Sequence, residues 1–152
     1  MKRILLTLLL LTVTTQVIAK QGQVSRVIDG DTVVLADSTH VRLYGIDAPE
    51  SKMAYGPESK SFMVSMVLGQ IVDVESKGLD RYGRTIGIIT MGDTNINEAM
   101  VQAGYAWVYT QYCHDPICKK MMIDEGDARE GKVGLWSDPS PQKPWEWRRA
   151  HK

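Results

Sequence analysis

The chain has 152 residues, with 18 Lys and Arg balanced by 18 Asp and Glu. That length supports one domain with a proper core and leaves little room for a second. Balanced charge excludes a protein that holds polyanions by bulk attraction, so any grip on nucleic acid must come from locally placed cations.

In chain order, Met1-Lys2-Arg3 is a short basic start, residues 4–13 are apolar apart from two threonines, and Val17-Ile18-Ala19 precedes polar Lys20-Gln21. This order predicts a signal peptide over residues 1–19, cleaved after Ala19. The apolar run falls short of the roughly 20 residues a membrane span needs. A periplasmic or secreted chain follows, with no membrane attachment after cleavage. Lys2 and Arg3 leave with the signal, so the single domain over residues 20–152 is slightly acidic.

Residues 23–46 alternate strand-like runs with turn residues. Val24 to Ile28 leads into Asp29-Gly30-Asp31, Thr32 to Leu35 into Asp37-Ser38, and Thr39 to Ile46 ends at Asp47-Ala48-Pro49, which predicts a three-stranded meander. Gly56-Pro57-Glu58 opens a helix, with Pro preset for the first turn and Glu set against the positive end of the dipole. Phe62, Met63, Met66 and Val67 share one helical face, and Gly69 stops the helix.

Ile71 to Val74 and Thr85 to Met91 predict two more strands, joined by the polar segment Gly78 to Arg84. Asn95 with Glu98 reads as a capping box for a short helix closing at Gly104. Asp115-Pro116 caps a third helix that ends near Gly131, and the Pro- and Trp-rich tail, about residues 137–152, reads as irregular chain laid over the domain. Five strands and three helices in the order βββαββαα predict a small barrel with helices on its outside. Nothing in this pattern signals edge pairing, so a monomer without a stable protein partner is expected.

Chemistry-bearing residues gather at the ends of those strands. Asp31 follows a turn glycine, Asp47 and Glu50 flank Ala48-Pro49, Arg42 is opposite in phase to Val41 and Leu43, and Arg84 opens the fifth strand. Each piece has a plain structural reading. Asp-Gly-Asp is a turn, Asp47 to Glu50 a strand terminator, and Arg42 and Arg84 surface cations. As a set they are a poor crowd for a core, because buried charge is costly unless paired. They suit a device in which carboxylate oxygens take a hard cation such as Ca²⁺ and guanidinium forks grip a phosphate.

Three stretches carry a resemblance: Ile28 to Thr32 (IDGDT), Val41 to Glu50 (VRLYGIDAPE) and Asp80 to Arg84 (DRYGR). With Asn97-Glu98-Ala99, Gly104 and Gly134-Leu135-Trp136 they resemble, in order, the staphylococcal nuclease (thermonuclease) family over about residues 23–138. The resemblance implies a β-barrel plus α fold, an OB-fold five-stranded barrel with three helices. It implies a Ca²⁺-dependent phosphodiesterase that cuts DNA and/or RNA and leaves 3′-phosphate ends.

Residue by residue, it implies that Asp31 and Asp47 bind Ca²⁺ through carboxylates and Ala48 through its backbone carbonyl, where the family often has Thr. Glu50 then orients or deprotonates the attacking water, while Arg42 and Arg84 hold the scissile phosphate. Tyr82 contacts a substrate phosphate, Arg81 stands where a Lys is frequent, and Tyr112 is a candidate for stacking on a base or for simple packing. The loop from Glu50 to Tyr55 is shorter than in familiar members, and those members are strongly basic.

Cys113 and Cys118 are expected to form a disulfide, given an exported chain. Pro144 to Arg149 offers either a base-stacking basic patch or, favoured here, Trp rings packed on the domain with solvated arginines. The rival reading for the whole chain is an OB-fold module that binds nucleic acid without cutting it. Arg42, Glu50 and Arg84 argue against it, since mere binding has no chemical need for all three.

Overall fold

The computed structural model describes residues 19–151, so the expected signal peptide lies outside the described residues but for Ala19. Five strands close a barrel: β1 (Lys20–Asp29), β2 (Thr32–Leu35), β3 (His40–Leu43), β5 (Ile71–Leu79) and β6 (Thr85–Met91). Their order is β3-β2-β1-β5-β6, and β3 returns to pair with β6, leaving no edge between them. All neighbours are antiparallel except β3 and β6, which run parallel with Arg42 opposite Ile86. This is the expected OB-type barrel.

β3 and the first half of β5 alternate in the way a half-buried pleat requires, whereas β2 is buried at every position. Val24, Val33, Leu35, Val41, Leu43, Val72, Val74 and Ile89 are almost fully buried and form one core. The helix α1 (Gly56–Val67) has Pro57 in its first turn and covers one end of that core through Met63 and Val67. Phe62 and Met66, expected on the same face, pack against the core from partly buried positions. Gly30 permits close approach of α1 to the β1–β2 turn, because a Cβ there would sit 1.8 Å from Ser59 Oγ.

The expected third strand, residues 39–46, is interrupted. Gly45 takes φ +75°, a conformation L side chains avoid, and so splits it into β3 and the short β4 (Ile46–Asp47). β4 leaves the barrel sheet and pairs with β8 (Trp107–Val108). That departure carries Asp47 away from the barrel wall towards the third helix. A second short strand, β7 (Thr94–Asn95), adds to β6.

The helix α2 (Ile96–Gln102) begins as read, with the Asn95 side chain accepting a hydrogen bond from the Glu98 N–H. Asn97, fully buried, accepts from the Ile89 N–H at 3.0 Å and donates to the Tyr44 and Gly87 carbonyls. It ties α2 to β6 and to the turn after β3. The helix α3 (Pro116–Glu130) starts after Asp115, but the Asp115 side chain makes no cap; its carboxylate pairs with Lys77 at 2.5 Å. Cys113 and Cys118 are disulfide-bonded across the start of α3.

The tail corrects the expectation of irregular chain. A fourth helix, α4 (Pro144–Ala150), has Pro at its first position, Glu146 in its first turn and Arg148 and Arg149 in its last, the polarity a helix dipole favours. Trp145 anchors it, stacked on Tyr109 with centroids 5.0 Å apart and edge-on to Trp107. Among the described residues no helix is long and apolar enough to cross a membrane.

Candidate active site

The open side of the barrel holds a cavity of about 710 Å³. Every catalytic, metal or substrate residue expected from the sequence lines it: Asp31, Arg42, Asp47, Ala48, Glu50, Arg81, Tyr82, Arg84 and Tyr112. They arrive from separate places. Asp31 comes from the β1–β2 turn, Arg42 from β3, Asp47 from β4, Ala48 and Glu50 from the following loop, residues 80–84 from the β5–β6 connection, and Tyr112 from a 3₁₀ turn ahead of α3.

Arg42 is the hub. Its Nη1 donates to the carbonyls of Leu43 and Ile46, which fixes the guanidinium plane. Its Nη2 lies 3.1 Å from Asp31 Oδ2 and 3.0 Å from Asp47 Oδ1, so both aspartates turn an oxygen towards one nitrogen. Asp31 Oδ2 also accepts from the Ala48 N–H at 2.7 Å, which fastens the β1–β2 turn to the loop after β4. The two aspartates are buried. Burial pushes the Asp47 carboxyl above its ordinary range, with the neighbouring guanidinia opposing that shift.

Arg84 is held by a different partner. Asp80 Oδ2 accepts from Arg84 Nε at 2.6 Å, and Asp80 Oδ1 accepts from the N–H groups of Tyr82 and Arg84. The exposed Tyr82 ring lies between two cations, with Arg81 at 4.8 Å and Arg84 at 5.7 Å from its centroid. Tyr112 is exposed and edge-on to Tyr109. Tyr82 and Tyr112 are both exposed and line the cavity.

Two residues escaped the sequence reading. Asp29, half-buried beside Asp31, has its carboxyl pushed up to about 7 by burial and by the Asp31 charge. Arg148, expected in solvent, instead reaches the cavity from α4. Its Nη1 donates to Glu50 Oε1 at 2.7 Å and to Asp47 Oδ1 at 3.1 Å, and its Nη2 to Asp47 Oδ2 at 2.7 Å. Burial pulls the Arg148 guanidinium down, but these bonds to Asp47 and Glu50 outweigh it and hold it above its ordinary value. The only signal for this was the dipole-matched pattern Pro144, Glu146, Arg148, Arg149, which marks a helix but not its destination.

The fit of a metal can be judged on the donors. Among the described residues no three His, Cys, Asp or Glu side chains converge with metal-ligand spacing, because guanidinia stand between the carboxylates. The donor set is nevertheless made of oxygens only, buried, anionic and facing one another across a single nitrogen. That suits a hard cation and not a soft one. Asp31, Asp47 and the Ala48 carbonyl are the residues that would hold it.

Comparison with known proteins agrees with the geometry. Residues 40–138 match the family model described as staphylococcal nuclease homologue. An Escherichia coli protein described as an uncharacterized endonuclease is 47% identical over 131 residues, 84% of each chain. A Shigella flexneri protein named micrococcal nuclease is 43% identical over 144 residues, covering 87% of this chain and 82% of its own. A Haemophilus influenzae protein, also described as an uncharacterized endonuclease, is 39% identical over 159 residues, covering 99% and 88%. With the barrel, the order of its elements and the site all in agreement, the chain belongs to the staphylococcal nuclease homologue family.

Proposed function

We propose that this nucleic-acid-hydrolysing enzyme is an exported, Ca²⁺-dependent phosphodiesterase that cuts DNA and/or RNA by water attack and leaves 3′-phosphate ends. The observation that carries the reading is the convergence of two guanidinia, Arg42 and Arg84, and one carboxylate, Glu50, on the cavity that also holds the buried Asp31–Asp47 pair. Export rests on the pattern of residues 1–19, and a monomer on the closed barrel, which exposes no long sheet edge.

Two forks set on opposite supports, the β3 strand and the β5–β6 connection, suit a phosphodiester held from two sides. Each is preplaced: Arg42 by carbonyls and aspartates, Arg84 by Asp80. Negative charge grows on the phosphorus-bound oxygens as a fifth oxygen approaches, and donors already in place stabilise that growth without reorganising. A bound Ca²⁺ would supply Lewis-acid polarisation of the phosphate and help order the water. Glu50, half-buried at the loop beyond Asp47, takes the proton of the attacking water and must lie within about 3 Å of it. Tyr82, Arg81 and Tyr112 contact the flanking nucleotides at the mouth.

The test is digestion of single-stranded DNA and RNA, with Ca²⁺ and with a chelator, by the wild type and by Glu50→Gln and Arg84→Ala. Cutting that requires Ca²⁺ and falls by on the order of 10² or more in each variant is the expected result. Cutting that survives the chelator and both substitutions would place the chemistry elsewhere. Binding without cutting would favour a non-catalytic module.

A further inference from the structure

Asp47, one of the two carboxylates assigned to the metal, is already paired with a side chain that the proposed mechanism does not use. Asp47 is almost wholly buried, and both of its oxygens accept from Arg148, one of them shared with Arg42. Glu50 Oε1 accepts from the same guanidinium. Arg148 thus bridges the expected metal ligand and the expected base, some hundred positions earlier in the chain, with the fork geometry that suits carboxylates.

The support of Arg148 is of a different kind from that of Arg42. Arg42 belongs to a barrel strand and is fixed by two backbone carbonyls. Among the described residues Arg148 makes no backbone hydrogen bond through its side chain, its side chain is 38% exposed, and it projects from the last turn of a seven-residue helix. That helix is pinned at its start, by buried Pro144 and by Trp145 stacked on Tyr109. Beyond Trp145 its attachments to the cavity are the Arg148 ion pairs. The anchored end and the releasable end are therefore separate, and the guanidinium can leave Asp47 without unpacking the aromatic anchor.

We propose that Arg148 is an internal counter-ion that holds Asp47 and Glu50 before the divalent cation binds and is displaced from Asp47 when it does, so that metal loading is coupled to release of the C-terminal end of α4. This rests on the Ca²⁺ reading above. Asp47 Oδ1 already accepts from both Arg42 and Arg148, and Oδ2 from Arg148, so a divalent cation on these oxygens competes with Arg148 for acceptor directions and repels its positive charge. Reciprocity then requires that whatever strengthens the Arg148 contact weakens metal binding by the same factor, and the reverse. Arg148 keeps the buried carboxylates from being left unpaired, which would be costly, and sets the Ca²⁺ concentration at which Glu50 becomes available.

The experiment is calorimetric titration of Ca²⁺ into the purified wild-type protein and into Arg148→Ala and Arg148→Gln, with no substrate present. It is paired with hydrogen exchange of residues 144–151 in the wild type, with Ca²⁺ and with a chelator. The expected results are Ca²⁺ binding about tenfold tighter in both variants, a typical size for such coupling, and faster exchange over residues 146–151 on adding Ca²⁺. Equal or weaker Ca²⁺ binding in both variants overturns the proposal while leaving the Ca²⁺ reading intact. Unchanged or slower exchange in the wild type overturns it independently of any variant. Failure of all three proteins to bind Ca²⁺ overturns the Ca²⁺ reading and the proposal with it.

Discussion

Asp80 and Arg84 form a closed unit: the Asp80 carboxylate takes the Arg84 guanidinium at 2.6 Å while also accepting the Arg84 backbone N–H at 3.0 Å. The Asp80 N–H in turn donates to the Arg84 carbonyl at 2.9 Å. One side chain therefore shapes the connection before β6 and aims the cation that it carries. Asp80→Asn keeps an oxygen for the backbone but loses the charge that holds the fork. Turnover is expected to fall about tenfold, since small misplacements of a positioned group cost rates of that order, and Arg84→Ala to cost more. In the double variant the two losses should not add. A kcat series on one oligonucleotide checks this, and full additivity would mean that Asp80 acts on something other than Arg84.

Asn97 is the polar tie of the core. It is fully buried and serves one N–H and two carbonyls belonging to β6 and to the turn after β3. Asn97→Ala takes this partner from the Ile89 N–H and the Tyr44 carbonyl, while the Gly87 carbonyl keeps the Tyr44 N–H, and each buried unsatisfied group costs about 1–3 kcal/mol. A loss of roughly 2–4 kcal/mol in urea unfolding is expected. A change below about 1 kcal/mol would show that water enters and replaces the amide.

The Cys113–Cys118 disulfide closes a short loop packed against the Gly45 turn, where a Cβ would lie 2.3 Å from Cys113 Sγ. Short loops gain least from cross-linking, and the chain-entropy model gives about 2 kcal/mol. Reduction, or Cys113→Ser with Cys118→Ser, is expected to lower Tm by roughly 5–10 °C. Differential scanning calorimetry with and without reductant measures it. An unchanged Tm would mean that packing, not the bond, holds this loop.

Glu125, on α3, accepts the Val108 N–H at 2.9 Å and pairs with Arg129 at 3.0 Å, yet burial pushes its carboxyl above the ordinary range. The unfolded chain releases this proton near pH 4.3, as a free Glu does, whereas the folded chain keeps it to higher pH. Between those two points the folded state binds more protons, so this group's contribution to stability declines as pH rises above about 4. Glu125→Gln, which retains an oxygen for Val108, should flatten that decline. Urea midpoints from pH 4 to 8 test the sign, and a steeper decline in the variant would refute it.

The barrel and most of the site were legible because both depend on local signals. Strand alternation, the Asp-Gly-Asp turn, the Asn95 cap and Pro57 each act within a few residues, and the site residues lie next to those signals. Two things were not legible. The break at Gly45 needed a positive φ that an isolated glycine inside a strand-like run does not announce. The reach of Arg148 to Asp47 depends on where the tail docks, and that is decided by Trp145 against Tyr109, a contact between segments that no periodicity encodes. The Asp115 side chain was misread for a related reason: a cap is a local choice, but Lys77 from a distant strand competes for the same carboxylate.

The parallel seam between β3 and β6 decides when the molecule becomes dangerous to a nucleic acid. Arg42 and Arg84 come from either side of that one junction, which joins segments more than forty positions apart; β1 and β5 also pair across such a distance, but antiparallel. Distant, parallel pairings repay their closing entropy late, so this seam should be the last to zip and the first to open. A chain threaded, newly made or partly opened can hold most of its sheet and still have its two phosphate grips apart. Bringing the two grips to one phosphate therefore depends on the closure of this seam.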